Sequence, residues 1–378
     1  MATTVYFGTN REVKRVNPPE LGNDFNSDGP RFYRVGKALV EKIGDNWALG
    51  GEGYKTISAE LYDERRPSKS NPAGKPGSTA MFEEMRGVMA TETRDVLVFI
   101  HGFASTFESA MERAAALADA YLSAPTDAEG TLSAERKEPL VFAFSWPSDA
   151  EMFVDDDRGW AYSGDRVQAK ESGHAMARCA MRMLEFLIAL KREERCEQRL
   201  HLVAHSMGNW ALRAAVQEMV EIAEEEGILL RPVFENVFLM AADIEDHALE
   251  QEGWLAPVLM LTRRVHVYHA ENDKALTASV LKPNQGARLG HLGPRRMSVL
   301  PDRVSAVDCR DVSWTPADKL VRHQYYRLAP EVIEDVRSVL AGIAPSDMAT
   351  RVPGDAPGRW RVKLDTAARE ALRRTADT

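Results

Sequence analysis

Ser206 lies between an apolar run and an amphipathic stretch, in the sequence LHLVAHSMGNW at 200–210. Ala204 stands two positions before the serine and Gly208 two positions after it. A sharp turn from a strand into a helix lifts a serine hydroxyl clear of the sheet, and that turn needs small residues at both positions. The usual pattern has glycine at the first position, but an alanine methyl group is still small. We predict that Ser206 is a catalytic nucleophile; the alternative is a helix-capping serine.

Two backbone N–H groups are candidates for stabilising the oxyanion that attack by such a serine creates. One belongs to Met207, directly after the nucleophile. The other comes from HGF at 101–103, which follows the apolar run DVLVFI. Gly102 lets the backbone pass close to a substrate, so that the N–H of Phe103 or Ala104 points inward. We expect His101 to hydrogen-bond within this loop and not to act as the base.

The base is expected late in the chain, because α/β proteins with this serine turn carry the acid and then the histidine after the serine. Five histidines follow Ser206: His247, His266, His269, His291 and His323. His323 lies after the last apolar run and just before the final long helical pattern. We therefore predict His323 as the base, with His291 as the alternative.

The acid that orients the imidazole should end one of the later strands. Asp273 ends HAEND after RRVHVYH, and we predict that it holds His323. Asp243, which ends the preceding strand in ENVFLMAAD, is the main alternative, and Glu271 and Asp308 are two further ones. A lone aspartate at a strand end is also a common helix cap or turn residue.

Several residues around these groups are candidates for lining a substrate pocket. Trp146 and Ser148 follow a strand in FSWPS, although Trp146 could equally be a packing residue. Gly102, Ala104 and His205 are the other candidates, because they adjoin the two turns. No paired-cysteine spacing or other metal-ligand pattern is present, so we predict no metal site.

The segment DAEMFVDDDRGWAYSGD at 149–165 combines aromatic and acidic residues. It could cover the site as a lid that offers Phe153, Trp160 and Tyr162, or it could be a solvated connector. Acidic residues at the mouth of a site are expected to disfavour anionic substrates by repulsion.

Short apolar runs alternate with amphipathic helical patterns along most of the chain, which predicts a mostly parallel central sheet with helices on both faces. The runs expected as strands lie at 95–103, 138–147, 199–206, 235–243, 263–273 and 304–311. The helical patterns lie at 108–122, 165–194, 209–226 and 329–343. We predict N-terminal strands and loops over 1–94, a catalytic core over 95–343 and a C-terminal extension over 344–378.

Composition narrows the class of partner. The 378 residues carry a formal charge of −9 with 44% hydrophobic residues, which is ordinary for a globular protein and gives no basic surface for nucleic acid. No apolar run is long enough to insert stably into a membrane. The three cysteines lie far apart and form no disulfide framework, which favours the cytoplasm. The sequence does not predict an oligomeric state.

Taken together, these motifs resemble the alpha/beta-hydrolase superfamily and, more closely, a bacterial family of uncharacterised alpha/beta hydrolases. The resemblance rests on FGTNR (7–11), VFIHGFASTFESA (98–110), FSWPS (144–148), LVAHSMGN (202–209), AADIED (241–246) and HQYY (323–326). It implies the alpha/beta-hydrolase fold and a Ser-Asp-His hydrolase of the esterase or lipase type. It also implies a small-molecule ester or acyl substrate and no cofactor.

Other functions remain open at this point. A thioesterase, an amidase or an acyltransferase uses the same triad, and a binding protein can retain the fold without catalysis. A dehalogenase or an epoxide hydrolase needs a carboxylate where this chain has Ser206.

Overall fold

The computed structural model describes residues 2–44, 53–62, 76–123, 135–148, 160–190, 197–280 and 286–376. Its strands are β1 (Ala2–Thr9), β2 (Arg11–Val16), β3 (Pro19–Phe25), β4 (Arg34–Lys42), β5 (Tyr54–Leu61), β6 (Val96–Ile100), β7 (Leu140–Ser145), β8 (Leu200–His205), β9 (Phe234–Met240), β10 (Thr262–His269), β11 (Val304–Asp308), β12 (Arg351–Pro353) and β13 (Arg359–Val362). Its helices are α1 (Gly77–Glu92), α2 (Phe107–Ala120), α3 (Trp160–Ala189), α4 (Gly208–Glu226), α5 (Val258–Leu261), α6 (Lys274–Val280), α7 (Leu289–Leu292), α8 (Tyr325–Leu328), α9 (Pro330–Leu340) and α10 (Thr366–Ala376).

Eleven of the described strands form one sheet, in the order β12-β13-β11-β10-β9-β8-β6-β7-β1-β4-β5. The strands from β13 to β1 in this order run parallel to one another. β4, β5 and β12 extend the two edges by antiparallel pairing. β2 and β3 pair separately. All six strands expected from the apolar runs are present as β6 to β11.

The central strands β6 and β7 are almost entirely apolar because helices cover both faces of the sheet. All five residues of β6 are buried. Val98 and Ile100 face the layer formed by α1, α3 and α4. Leu97 and Phe99 face the opposite layer, which includes α2 and α9. The prediction of a mostly parallel sheet with helices on both faces, the alpha/beta-hydrolase fold, is therefore confirmed.

The parallel strands bring their carboxyl ends to one edge of the sheet. The turn at 101–105 follows β6, Ser206 follows β8, Asp243 follows β9 and Asp273 is near the end of β10. Ligand sites of open α/β sheets lie outside this edge. The parallel strands thus place candidate site residues from four segments that are distant in the sequence at the same edge of the sheet.

Both terminal regions add strands to this same sheet. β1 lies between β7, to which it is parallel, and β4, to which it is antiparallel. At the other edge, Arg351 at the start of β12 forms a fully buried ion pair of 2.7 Å with Asp335 on α9. The sheet therefore runs across both predicted boundaries, at 94 and at 343. Among the described residues, no helix has the length and apolarity needed to cross a membrane.

Candidate active site

Ser206 adopts the left-handed backbone conformation, with φ of +52°. This conformation is costly for a residue with a side chain and is found where the surroundings enforce it. The Ser206 N–H donates to Met240 O on β9 at 2.9 Å. Its carbonyl accepts from the side-chain amide of Asn209 at 3.0 Å and from the N–H of Asp243 at 3.2 Å. The sharp turn predicted between β8 and α4 is thus fixed from two sides.

Close packing explains why Ala204 and Gly208, two positions before and after Ser206, are small. A Cβ atom at Gly208 would lie 2.4 Å from the carbonyl oxygen of His101 and 2.8 Å from that of Ile100. Only glycine lets α4 start so close to the end of β6. Ala204 is fully buried in β8, where its methyl group joins the apolar core. Alanine in place of the usual glycine is therefore accommodated.

The HGF turn lies directly against the serine. A Cβ atom at Gly102 would lie 3.0 Å from Ser206 Cβ, so a side chain there would crowd the nucleophile. Ala104, at φ of +54°, turns its N–H to the Asp165 carboxylate at 3.4 Å. Within the described part of the chain, the N–H groups of Phe103 and Met207 donate to no acceptor. Of the two candidate N–H groups in the HGF turn, that of Ala104 is bonded to Asp165 and that of Phe103 remains available as a donor.

His101 lies behind the turn as an internal hydrogen-bonding residue. Its Nε2 accepts from the Trp146 N–H at 3.2 Å, which leaves the proton on Nδ1, where it is donated to Gly102 O at 2.9 Å. Burial, followed by the charge of Arg11, lowers the pKa of His101 well below its ordinary value. Trp146 is fully buried and stacks on the His101 ring at 4.9 Å. Trp146 therefore shapes the turn from behind.

Ser148 is also fully buried, close to the same turn. Its hydroxyl donates to Asp165 and accepts from the Ser105 N–H at 3.2 Å. Asp165 on α3 thus holds both Ser148 and the Ala104 N–H. No local sequence pattern marks Asp165, because its role depends on contacts with distant residues.

Arg11, the last residue of FGTNR, is a fully buried cation that anchors the turn to the N-terminal region. Its Nη2 donates to Ser105 O at 2.6 Å, and its Nε donates to Ser145 Oγ at 2.8 Å. Its Nη1 donates to Gly22 O at 3.2 Å. These bonds give the motif a physical role that its sequence alone does not reveal.

His323 and Asp273 are hydrogen-bonded, with Nδ1 and Oδ2 2.6 Å apart. Asp273 is fully buried and His323 is 8% exposed. Burial lowers the pKa of His323, but the charges of Asp273, Asp318 and Asp243 and the bond to Asp273 outweigh it and raise the pKa above the ordinary value. Because Nδ1 is engaged by the carboxylate, Nε2 is the nitrogen left for proton transfer.

Two further residues hold the His323 segment in place. One Asp318 oxygen accepts the N–H groups of both His323 and Gln324, each at 2.5 Å. His205 lies between the serine turn and the base, with its ring centroid 4.7 Å from that of His323 and 4.3 Å from that of Tyr326. Its Nε2 donates to His323 O at 3.3 Å. Burial, followed by the charge of His323, lowers the pKa of His205 well below its ordinary value.

The alternative acid, Asp243, has other partners. Its Oδ1 pairs with Arg288 Nε at 3.1 Å and accepts from Ser279 Oγ at 2.7 Å, and its Oδ2 accepts from the Tyr162 hydroxyl. Glu271 and Asp308 pair instead with Arg310, at 2.8 and 2.6 Å.

The alternative base, His291, is also turned to another partner. Its Nε2 lies 3.4 Å from Thr277 Oγ. The structure therefore brings His323 together with Asp273 and not with Asp243.

Tyr162 connects two parts of the site. Its ring centroid lies 6.0 Å from that of Phe103, while its hydroxyl contacts Asp243 and Ser279. Phe153 and the side chain of Trp160 lie outside the described residues, so a lid formed by 149–165 stays a prediction.

An apolar cavity of about 290 Å³ lies elsewhere, between the sheet and helices α1, α3 and α4. Its described lining does not include Ser206, Asp273 or His323. We therefore do not assign the acyl group of a substrate to this cavity.

Comparison with known proteins agrees with the fold and leaves the activity open. The chain is 21% identical over 271 residues to the uncharacterized protein alr1448 of Nostoc sp., a match that covers 61% of this chain and 67% of the Nostoc protein. No solved structure matches it. Residues 79–341, more than half of the chain, match a family described as alpha/beta hydrolases of unknown function (DUF900). The chain therefore belongs to this alpha/beta-hydrolase family.

Proposed function

We propose that the chain is a serine hydrolase that cleaves carboxylic esters, with Ser206 as nucleophile, His323 as base and Asp273 as the acid that orients the base. The observation that carries the proposal is the 2.6 Å bond between His323 and Asp273 at the sheet edge where Ser206 occupies its left-handed turn. A buried carboxylate on Nδ1 fixes the imidazole tautomer that a general base needs.

In acylation, His323 Nε2 takes the proton from the Ser206 hydroxyl while Oγ forms a bond to the acyl carbon of the ester. The negative charge that develops on the carbonyl oxygen is stabilised by the N–H groups of Phe103 and Met207. His323 then gives its proton to the leaving oxygen, the ester C–O bond breaks, and the alcohol departs. Loss of one such oxyanion donor costs about 100-fold in rate.

In deacylation, water replaces the alcohol. His323 takes a proton from the water, whose oxygen bonds to the acyl carbon, and the same two N–H groups again face the oxyanion. Collapse of this intermediate breaks the bond to Ser206 Oγ, returns the proton to the serine and releases the acid. Asp273 stabilises the imidazolium of His323 in both halves of the reaction.

The test is covalent labelling by a fluorophosphonate probe, which reacts with activated serines. We expect the wild type to be labelled and Ser206→Ala and His323→Ala to remain unlabelled, because each lacks a group that the reaction needs. His291→Ala is the matched control, since His291 lies on α7 and contacts Thr277. A folded wild-type protein that resists the probe and cleaves no activated ester would favour a binding protein that retains the fold.

A panel of acyl compounds then separates the enzymes that share this triad. We expect oxygen esters to be cleaved faster than matched thioesters and amides. Faster cleavage of the thioesters or amides would indicate a thioesterase or an amidase with the same triad. Transfer of the acyl group to an added alcohol in place of water would indicate an acyltransferase.

We further propose that the reaction takes place in the cytoplasm. Cys179 and Cys309 are buried, and neither forms a disulfide among the described residues, which suits a reducing compartment. Burial raises the pKa of the Cys309 thiol well above its ordinary value, so this residue is unsuited to act as a nucleophile.

A further inference from the structure

Arg288 is a buried cation beside the candidate active site that the proposed reaction does not use. The residue is 1% exposed. Its Nε pairs with Asp243 Oδ1 and donates to Ser279 Oγ, both at 3.1 Å. Its Nη2 is buried, and within the described residues no acceptor faces it. A buried donor without an acceptor is costly, so such a group is expected to have a partner in the working protein.

The carboxylate beside Arg288 cannot fully supply that partner. Asp243 already accepts from Arg288 Nε, from the Ser279 hydroxyl and from the Tyr162 hydroxyl. A guanidinium group has five N–H donors in a planar fork, and it matches two oxygens of one anion at once. Asp243 thus accepts from three groups, while the Nη2 group of Arg288 has no acceptor among the described residues.

The Arg288 pair is attached directly to the serine turn. The N–H of Asp243 donates to Ser206 O at 3.2 Å, and the Asp243 carbonyl accepts from Trp210 Nε1 at 2.5 Å. On its other side, Asp243 contacts Tyr162, whose ring approaches Phe103 in the HGF turn. Arg288 and Asp243 therefore lie between the serine turn and the HGF turn, the two segments that would hold an acyl group.

Two more guanidinium groups lie on the Trp210 ring, Arg213 at 3.7 Å and Arg166 at 4.7 Å from its centroid. Arg213 pairs with Glu245 at 2.7 Å, whereas Arg166 pairs with no carboxylate among the described residues. Burial, opposed by Glu245 and reinforced by the positive charges of Arg166 and Arg288, lowers the pKa of Arg213. The three arginines are thus close enough to repel one another, and they outnumber the two carboxylates that face them.

We propose that this cluster binds an anionic oxygen group, a carboxylate or a phosphate, carried by the substrate beside its scissile ester, with Arg288 as the specificity-determining residue. The inference rests on the proposed ester hydrolysis and names its substrate class. Of the acidic segment at 149–165, residues 149–159 lie outside the described part of the chain, and Asp165 is buried against Ser148. Beside Asp243, the three described arginines outnumber the two carboxylates Asp243 and Glu245.

The experiment compares two activated esters of equal chain length, p-nitrophenyl hydrogen glutarate, which carries a free carboxylate, and neutral p-nitrophenyl pentanoate. For the wild type we expect kcat/KM to be at least about tenfold higher with the anionic ester, as for one charge-assisted hydrogen bond. In Arg288→Gln this ratio should fall to about one or below. Arg263→Gln should keep the wild-type ratio, because Arg263 is 69% exposed and pairs with Glu235.

Removing Arg288 alone leaves Asp243 as an unpaired buried charge, which can prevent folding. The double variant Asp243→Asn/Arg288→Gln removes both charges and should lose the preference while retaining a folded circular dichroism spectrum. A wild type that prefers the neutral ester, or a preference that survives in a folded Arg288 variant, overturns the inference and leaves ester hydrolysis standing.

Binding of free anions tests the site independently of catalysis. Glutarate and inorganic phosphate are each titrated while the melting temperature is followed, and the ion that stabilises the protein identifies the group. We expect stabilisation of the wild type and its loss in the double variant. If no ester is cleaved, the proposed function fails, and Arg288-dependent stabilisation would still support an anion site. Equal melting temperatures with and without the ions would refute that site.

Discussion

The imidazole of His205 lies against that of His323, with 4.7 Å between the ring centroids and a hydrogen bond of 3.3 Å from His205 Nε2 to the His323 carbonyl. His205 is also the neighbour of Ser206 in the chain. A single buried ring therefore links the backbone of the candidate nucleophile to the position of the candidate base, without taking part in proton transfer itself.

Removing the contact between His205 and His323 should impair catalysis by displacing the base. We expect His205→Ala to lower kcat for an activated ester by up to about 100-fold with little change in KM, as for a displacement of about 1 Å of a catalytic group. His205→Gln retains a donor near the Nε2 position and should recover part of the loss. Equal kcat values in the wild type and a folded His205→Ala variant would contradict a positioning role.

The raised pKa of His323 sets the sign of the pH dependence. The ring acts as a base only when neutral, so kcat/KM should rise with pH through a midpoint above the ordinary histidine value of about 6.5. Asp318→Asn keeps an oxygen that can accept the two N–H groups but removes a negative charge that raises this pKa. The midpoint should therefore move to lower pH.

Asp318→Ala is the companion variant, because it removes both the charge and the acceptor. It should shift the midpoint in the same direction and also reduce the plateau value of kcat/KM. A midpoint that is the same in the wild type and in Asp318→Asn would show that His323 does not limit the reaction.

Asp273→Asn should have a larger effect than the other acid variants. The amide can donate to Nδ1 and so favours the wrong tautomer of His323. A loss of about 10⁴-fold in kcat is expected, as measured for the equivalent change in a serine protease triad. Glu271→Gln is the control, because Glu271 pairs with Arg310 and is 55% exposed in its side chain. Steady-state kinetics with one ester measures both.

Gly208 is expected to be essential for the serine turn. In Gly208→Ala the new methyl group would meet His101 O at 2.4 Å, and overpacking of this kind costs about 1–3 kcal/mol in the free energy of unfolding. Gly87→Ala, in α1 with open space around its Cβ position, should instead add about 0.5–1 kcal/mol. Urea denaturation compares the two, and equal stabilities would argue against the close approach of α4 to β6.

Arg11 is expected to stabilise the HGF turn from the N-terminal region. Arg11→Met leaves the Ser105 and Gly22 carbonyls without a buried donor, at a cost of about 1–3 kcal/mol per group. Activity should fall together with stability, since Ser105 follows Phe103 and Ala104 closely. Arg15→Met is the matched control in the same strand, because Arg15 forms an exposed pair with Glu20. Thermal melting and ester turnover are the two measurements.

The sequence by itself determined the strands β6 to β11, the helices α2, α3, α4 and α9, and their order. Apolar runs buried on both faces predict parallel strands, and amphipathic patterns predict the covering helices, because both signals depend on neighbouring residues along the chain. The small residues around Ser206 and the glycine of HGF follow from local steric limits, and these are also readable from a few adjacent positions.

The tertiary structure decided which of several distant side chains meet. Asp243 and Asp273 both end strands, and only the packing directs Asp273 to His323 and Asp243 to Arg288. The hydrogen bonds from Arg11 to Ser105 and from His205 to His323 span 94 and 118 positions in the chain. No local pattern encodes such contacts, because they depend on how the helices and loops bring the strand ends together.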